Sequence, residues 1–149
     1  IMLLQIERDL GGLGLMPPCS TYHRFAVGMT GDKMSSSKPE STIFMDDEIE
    51  SMERKVKRAI SGGQPTVEEH RRLGGDVSKD VAYQYLQFFF ENDDTALAEV
   101  KSEYESGRML AGEVKQICID RATDWLIDLK QKRDQMEDAV AEFLAPDAI

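Results

Sequence analysis

Cysteine and histidine are scarce, two of each in 149 residues, and their scarcity removes whole classes of chemistry. Cys19 and Cys118 stand 99 positions apart with only His23 and His70 beside them, too few ligands at the wrong spacing for a structural zinc site, so no metal is expected. Both read as buried thiols of a reducing compartment. Long apolar runs are missing too. The longest stretch free of Asp, Glu, Lys and Arg, residues 10–23, contains Gly11, Gly12, Gly14, Pro17 and Pro18, which does not suit a membrane-spanning helix. Ile1, Met2, Leu3 and Leu4 meet Glu7 without a basic stretch or a small-residue cleavage site, so no secretory signal is indicated and a cytoplasmic location is expected. The chain opens on Ile1 rather than Met, and it is expected to be a piece of a longer protein.

Positive charge is the next shortage. Against 28 Asp and Glu there are 18 Lys and Arg, a formal net charge of −10. Residues 1–60 hold 8 basic and 9 acidic side chains, residues 61–149 hold 10 and 19, so the second part is the acidic one. That balance excludes a protein that grips nucleic acid over its whole surface by counterion release, while leaving room for local contacts. An acidic surface also suits a high-salt cytoplasm, where repulsion is screened within a few ångströms, and a halophilic source fits it. The length suffices for one core, or two small lobes, without disulfide or metal staples.

β character is confined to the first third. A short helix is expected over Leu3, Leu4, Ile6 and Leu10, then a Gly-, Pro- and Ser-rich stretch with short strands at residues 24–28 and 41–45. Everything after Asp46 reads as helices. Asp46 or Asp47 should cap one with the stripe Ile49, Met52, Val56 and Ile60, flanked by Glu50/Arg54 and Glu53/Lys57 pairs and stopped by Gly62 and Gly63. Thr66, Glu68 and Glu69 form a capping-box pattern that opens a helix closed by Gly74 and Gly75. The next helix, residues 78–91, carries Phe88, Phe89 and Phe90, a run dense enough to be largely buried. Asp94 or Thr95 caps a fourth helix bearing Leu97, Val100 and Tyr104. The last extends through Val114, Ile117, Trp125, Leu129, Val140 and Phe143 towards Pro146, long enough that a break is expected near residues 130–133, with Trp125 in the core.

One loop carries chemistry. Between the two strand candidates lies MTGDKMSSSKP, residues 29–39, in which only Met34 is a large apolar anchor. Gly31 permits unusual backbone angles, Ser35, Ser36 and Ser37 supply hydroxyl donors in series, and Lys33 and Lys38 bring positive charge. Such a loop can wrap a polyphosphate and stabilise oxygen charge as a phosphoanhydride breaks. A solvated connector has the same general composition. The string Lys33, Met34, Ser35, Ser36, Ser37 should nevertheless arise by chance in only about one chain of this length in ten thousand.

That string resembles the second signature, the KMSKS motif, of class I aminoacyl-tRNA synthetases. Its surroundings, KMSSSKPESTIF at residues 33–44, SGG at 61–63, TVEEHRRLGG at 66–75, YQYLQFFFEND at 83–93 and SGRMLAGEVK at 106–115, look like the archaeal and eukaryotic tryptophanyl-tRNA synthetases, in order and from Pro18 onward. The resemblance implies a tryptophan–tRNA ligase. ATP with Mg2+ and tryptophan give tryptophanyl-adenylate, and the aminoacyl group then passes to tRNA. It further implies a mainly α chain. Residues 1–45 are the C-terminal edge of a Rossmann-type α/β catalytic domain, and residues 46–149 are a helical-bundle anticodon-binding domain. Lys33 takes the catalytic role, with Lys33, Met34, Ser35, Ser36 and Ser37 contacting ATP and pyrophosphate. Ser36 stands where many such loops have a second lysine, so Lys33, backbone donors, Mg2+ or Lys38 must meet that charge. The first class I signature, a HIGH-like sequence, is absent from these residues, so the 149 residues alone are expected to be inactive. A homodimer is expected of the full-length protein, with no membrane partner.

For the acidic helical part, the resemblance points to anticodon contacts at Ser61, Gly62, Gly63 and Lys115. Single-stranded bases can be read by hydrogen bonding and stacking in a local pocket without a basic surface. By composition alone, the serine and glycines equally suit a helix end and Lys115 a solvated lysine. Arg54, Lys55, Lys57 and Arg58 form the densest basic group, read as a solvated face balanced by Glu50 and Glu53. Two other readings stay open: a tyrosyl-tRNA synthetase, which shares the five-residue loop, and a noncatalytic helical interaction module in which the loop is incidental.

Overall fold

The computed structural model describes Thr21 and residues 25–136. The expected first helix, Cys19, His23, Val140 and Phe143 lie outside the described residues. Among the described residues five α-helices follow one another: α1 (Ile49–Arg58), α2 (Val67–Leu73), α3 (Val81–Tyr85), α4 (Asp94–Glu105) and α5 (Ala111–Gln135). The mainly α expectation holds. Helix α5 is the spine: α1, α3 and, to a smaller extent, α4 pack against it. Val114, Cys118, Ile119, Ala122 and Leu126 are its buried residues, set against Met52 and Val56 of α1 and Val81, Ala82 and Tyr85 of α3. No break interrupts it before Gln135. Burial pushes the Cys118 thiol up to about 12, so it is an inert core sulfur.

Neither expected strand forms among the described residues. The first leaves a single antiparallel bridge between Val27 and Lys33. In place of the second, Pro39–Ser41 makes a 3-10 turn and residues 42–47 run beside α1. Their backbone groups find side chains rather than a neighbouring strand. Lys55 Nζ donates to the Thr42 carbonyl (2.9 Å) and to Asp47 Oδ2 (2.6 Å), and the same carboxylate oxygen accepts from the Phe44 N–H at 2.8 Å. Lys55 also sits 4.8 Å from the centre of the Phe44 ring. This lysine, read from sequence as part of a solvated basic face, is therefore buried. Asp47 is thereby diverted from helix capping, and the cap position of α1 falls to Glu48 without a side-chain bond.

Two further expectations are corrected by packing. Helix α3 begins only at Val81, capped by Asp80, and after Tyr85 widens into a π turn, Leu86–Phe90, closed by the Glu91 N–H on the Leu86 carbonyl. The wider turn carries Leu86 into the core and leaves the phenylalanine run partly outside, with Phe89 48% exposed. Trp125 is 37% exposed and packs on Phe90, ring centroids 6.0 Å apart. It walls a groove rather than filling the core. The local signals fare better. The Thr66 hydroxyl caps α2 by accepting from the Glu69 N–H, and Gly74 closes that helix, while α4 is capped by Asp93, one residue ahead of the expected position.

Between α1 and α2 the chain is extended, and here the molecule is tied together. Helix α1 ends at Arg58, ahead of the expected Gly62 and Gly63. Ile60 donates to the Met29 carbonyl and accepts from Val81, while the Gly62 carbonyl accepts from Asp76. Gly62 must be glycine, since a Cβ there would lie 1.9 Å from the Asp76 carbonyl oxygen. Its N–H donates to Asp80 Oδ2, which also accepts from the Tyr104 hydroxyl at 2.8 Å, while Asp80 Oδ1 accepts from the Tyr83 N–H at 3.0 Å. Asp80 has no exposed surface. Burial first, then the Asp80 carboxylate, push the Tyr104 phenol far up. Asp80→Ala is expected to cost about 3–5 kcal/mol and Tyr104→Phe about 1–2 kcal/mol. The double variant should lose clearly less than the sum, because phenylalanine leaves no orphaned hydroxyl. Urea titration of the four proteins measures this, and strict additivity contradicts it.

Candidate phosphate loop and helical cleft

The loop is built from two nested turns. Gly28 N–H donates to the Asp32 carbonyl (2.7 Å) and Gly31 N–H to the Gly28 carbonyl (2.8 Å), the second turn corner requiring Gly31 at φ +83°. The Val27–Lys33 bridge then returns the chain alongside itself. Beyond it, the Lys38 N–H donates to the Ser35 carbonyl at 3.0 Å, making a four-residue turn with Ser36 and Ser37 at its centre. The Ser35 and Ser37 hydroxyls are bonded to each other at 2.8 Å.

A cavity of about 470 Å³ opens at this loop, lined by Asp32, Lys33, Met34, Ser35, Ser36 and Lys38. Four of the five residues singled out by the motif therefore share one wall, together with Lys38, while Ser37 is exposed beside it. Lys33 is exposed. Met34 does the anchoring expected of it: half-buried, it accepts a hydrogen bond at its sulfur from the Tyr85 hydroxyl, 3.3 Å away. Burial pushes the Tyr85 phenol up to about 12, so it remains a donor. Through Met34 the loop rests on the helical core. The same contact floors an apolar groove of about 370 Å³ between Ile43, Phe44, Phe89, Phe90 and Trp125. Among the described residues no group of three His, Cys, Asp or Glu side chains is placed to hold a metal ion, and Asp32 is the one carboxylate lining this cavity.

The second candidate site lies at the N-terminus of α5. Ser61, Gly63, Gln64, Thr66 and His70 face Leu110, Ala111 and Gly112 across a cleft of about 260 Å³. Hydrogen bonds hold both walls. His70 Nε2 donates to the Met109 carbonyl at 2.8 Å, which fixes the tautomer and leaves Nδ1 facing the Gln64 N–H at 3.5 Å. The Gln64 amide donates to the Gly74 carbonyl. Two of the sequence candidates are thus at the cleft and two are not. Gly62 is buried behind it on Asp80. Lys115 donates to the Lys57 carbonyl (2.9 Å) and the Ala59 carbonyl (2.6 Å), capping the end of α1, where burial lowers its pKa. Arg71 donates to the Gly107 and Arg108 carbonyls, so it too braces the fold.

Sequence reasoning missed Ser41, Asp80, Tyr104, Tyr85 and the cleft lining by His70. Asp80, Tyr104, Tyr85 and His70 act through partners distant in the chain that no local pattern marks, while Ser41 bonds Lys38 and Ser35, three and six residues back, in a stretch whose β character hides the turn.

Known proteins resemble this chain in sequence and fold. The family described as class I tRNA synthetases (W and Y) matches residues 2–126. The tryptophan–tRNA ligase of Saccharolobus solfataricus is 41% identical over 143 residues, 93% of this chain and 38% of the relative, and that of Methanocaldococcus jannaschii is 40% identical over 145 residues. The crystal structure of tryptophanyl-tRNA synthetase from Aeropyrum pernix superposes with a TM-score of 0.85 at 33% identity, covering 98% of this chain and 41% of that one. The chain thus spans about two fifths of the length of such relatives. By sequence and by fold, it belongs to the class I tRNA synthetases of the tryptophan and tyrosine group.

Proposed function

We propose that this chain is the loop-and-helix portion of a tryptophan–tRNA ligase, with ATP, tryptophan and tRNA as substrates of the whole protein. The observation that carries the reading is the loop at residues 33–37, folded around an open cavity with Lys33, Ser35 and Ser36 on its wall, in a chain 41% identical to a tryptophan–tRNA ligase. The three relatives described above are named for tryptophan, which favours it over tyrosine and over a noncatalytic module. In this reading Lys33 holds the negative charge that grows on the bridging and leaving oxygens as tryptophanyl-adenylate forms and pyrophosphate departs. Ser35, Ser36 and Ser37 donate to the phosphates, and Met34 sets the loop on the helices. Mg2+ arrives with ATP.

Ser61 and Gly63 are proposed to meet the anticodon in the cleft, with Gly62 and Lys115 supporting them from behind. A cleft walled by backbone and neutral side chains suits base edges better than phosphates, in keeping with the acidic composition of this part of the chain. The division into residues 1–45 and 46–149 is one of role: loop side and tRNA side. Homodimerisation and a cytoplasmic location belong to the same reading. Among the described residues no helix is long and apolar enough to cross a membrane.

ATP–pyrophosphate exchange by the full-length protein tests this directly: tryptophan should support it, and exchange driven by tyrosine instead defeats it. In that protein Lys33→Ala is expected to slow exchange by about 100- to 1000-fold, the usual loss for one preorganised charge donor. Lys115→Ala should leave exchange within about twofold and raise the KM for tRNA by about tenfold, the scale of a weakened support rather than a lost contact. Equal losses in both steps would break this division of labour.

A further inference from the structure

The serine turn is held at both ends by one buried hydroxyl outside the motif. Ser41 is 1% exposed. Its Oγ accepts from the Ser35 N–H at 3.1 Å and donates to the Lys38 carbonyl at 2.7 Å, with the Ser35 carbonyl at 3.3 Å. The hydroxyl has a single proton, and the shorter distance assigns it to Lys38. Ser35 and Lys38 are the first and last residues of the turn that carries Ser36 and Ser37 at its centre. One oxygen atom therefore spans the mouth of that turn.

Ser41 is itself fixed from the other side. Its carbonyl accepts from the Met29 N–H at 3.0 Å, and Gly28 passes so close that a Cβ there would lie 2.5 Å from the same oxygen. The hydroxyl is thus pinned by the first part of the loop and pins the second. Ser41 does not line the cavity, so it would not touch a substrate. A donor array aimed at phosphoryl oxygens works only if its geometry is set before the reaction, and the bridging residue is itself buried.

We propose that Ser41 is a positioning residue for the phosphate loop, holding Ser35, Ser36 and Ser37 in register with Lys33. The proposal rests on the ligase reading of that loop. Ser41→Ala keeps the backbone bonds of the 3-10 turn, including the Ser41 N–H on the Lys38 carbonyl, and deletes the bridge together with a 3.3 Å contact to the Thr42 hydroxyl.

Two readouts on the full-length protein test it. In ATP–pyrophosphate exchange, Ser41→Ala should lower kcat by about tenfold, on the scale of one buried hydrogen bond, with the KM for tryptophan changed less than about twofold. Amide hydrogen exchange should quicken in peptides covering residues 33–41 and stay unchanged in peptides from α5. Ser41→Cys, which keeps a heavy atom with weaker hydrogen bonding, should fall between, and it carries the comparison if Ser41→Ala does not fold. Unchanged loop exchange overturns the proposal. So does faster exchange spread through α5, which would make Ser41 a general fold residue. Should the parent protein show no tryptophan-dependent activity, the ligase reading fails, and the hydrogen-exchange comparison still decides whether Ser41 holds the loop.

Discussion

The buried carboxylate of Asp80 joins three stretches of chain that sequence separation alone would leave independent. One oxygen takes the Gly62 N–H and the Tyr104 hydroxyl, the other the Tyr83 N–H in the first turn of α3. A buried carboxylate is costly unless its lone pairs are met, and these partners come from the junction after α1, from α3 and from α4. Satisfying it fixes where each of those elements begins or sits. Tyr104 then carries the order onward: its ring lies against Gly75, where a Cβ would be 2.4 Å from it, and 5.2 Å from the His70 ring that lines the cleft.

The extended stretch at residues 59–63 turns that local anchor into a link between the two candidate sites. Its Ile60 N–H reaches Met29 at the root of the phosphate loop, its Ile60 carbonyl reaches α3, and Ser61 and Gly63 face the cleft. Lys115, from the spine helix, holds the carbonyls on which this stretch starts. On the loop side, Lys55 and Tyr85 add two more attachments to the same helices, through Thr42 and Met34. Residues on both sides of position 45 share one core: Met29 belongs to the same buried cluster as α1, α3 and α5, and Met34 and Ile43 pack against it.

What the sequence made legible was local. The five-residue string and Gly31 announced a loop of tight turns, the Thr66 pattern opened α2 where expected, and the helical order after Asp46 followed from apolar spacing. Errors arose where a distant residue overrode a local preference. Thr42, Ile43 and Phe44 have β character, yet Lys55 takes the Thr42 carbonyl and Asp47 the Phe44 N–H in place of a ladder. Phe88, Phe89 and Phe90 look like core, but the π turn spends its inward position on Leu86. The cleft was half legible: Ser61 and Gly63 reach it, whereas Lys115 became a helix cap because the carbonyls of Lys57 and Ala59 lie within its reach. Ser41 was read as the start of a strand, since nothing nearby in sequence shows that its hydroxyl closes a turn six residues back.

Loop and cleft hang from one cooperative junction. Native-state amide hydrogen exchange, followed against low concentrations of urea, tests it most directly. The amides of Met29, Ile60, Gly62, Asp76 and Val81 should open with the same free energy and denaturant slope as those of Cys118 and Ala122 in α5. If the Met29 and Ile60 amides exchange instead through a smaller opening that leaves α5 protected, the loop detaches on its own and the account is wrong.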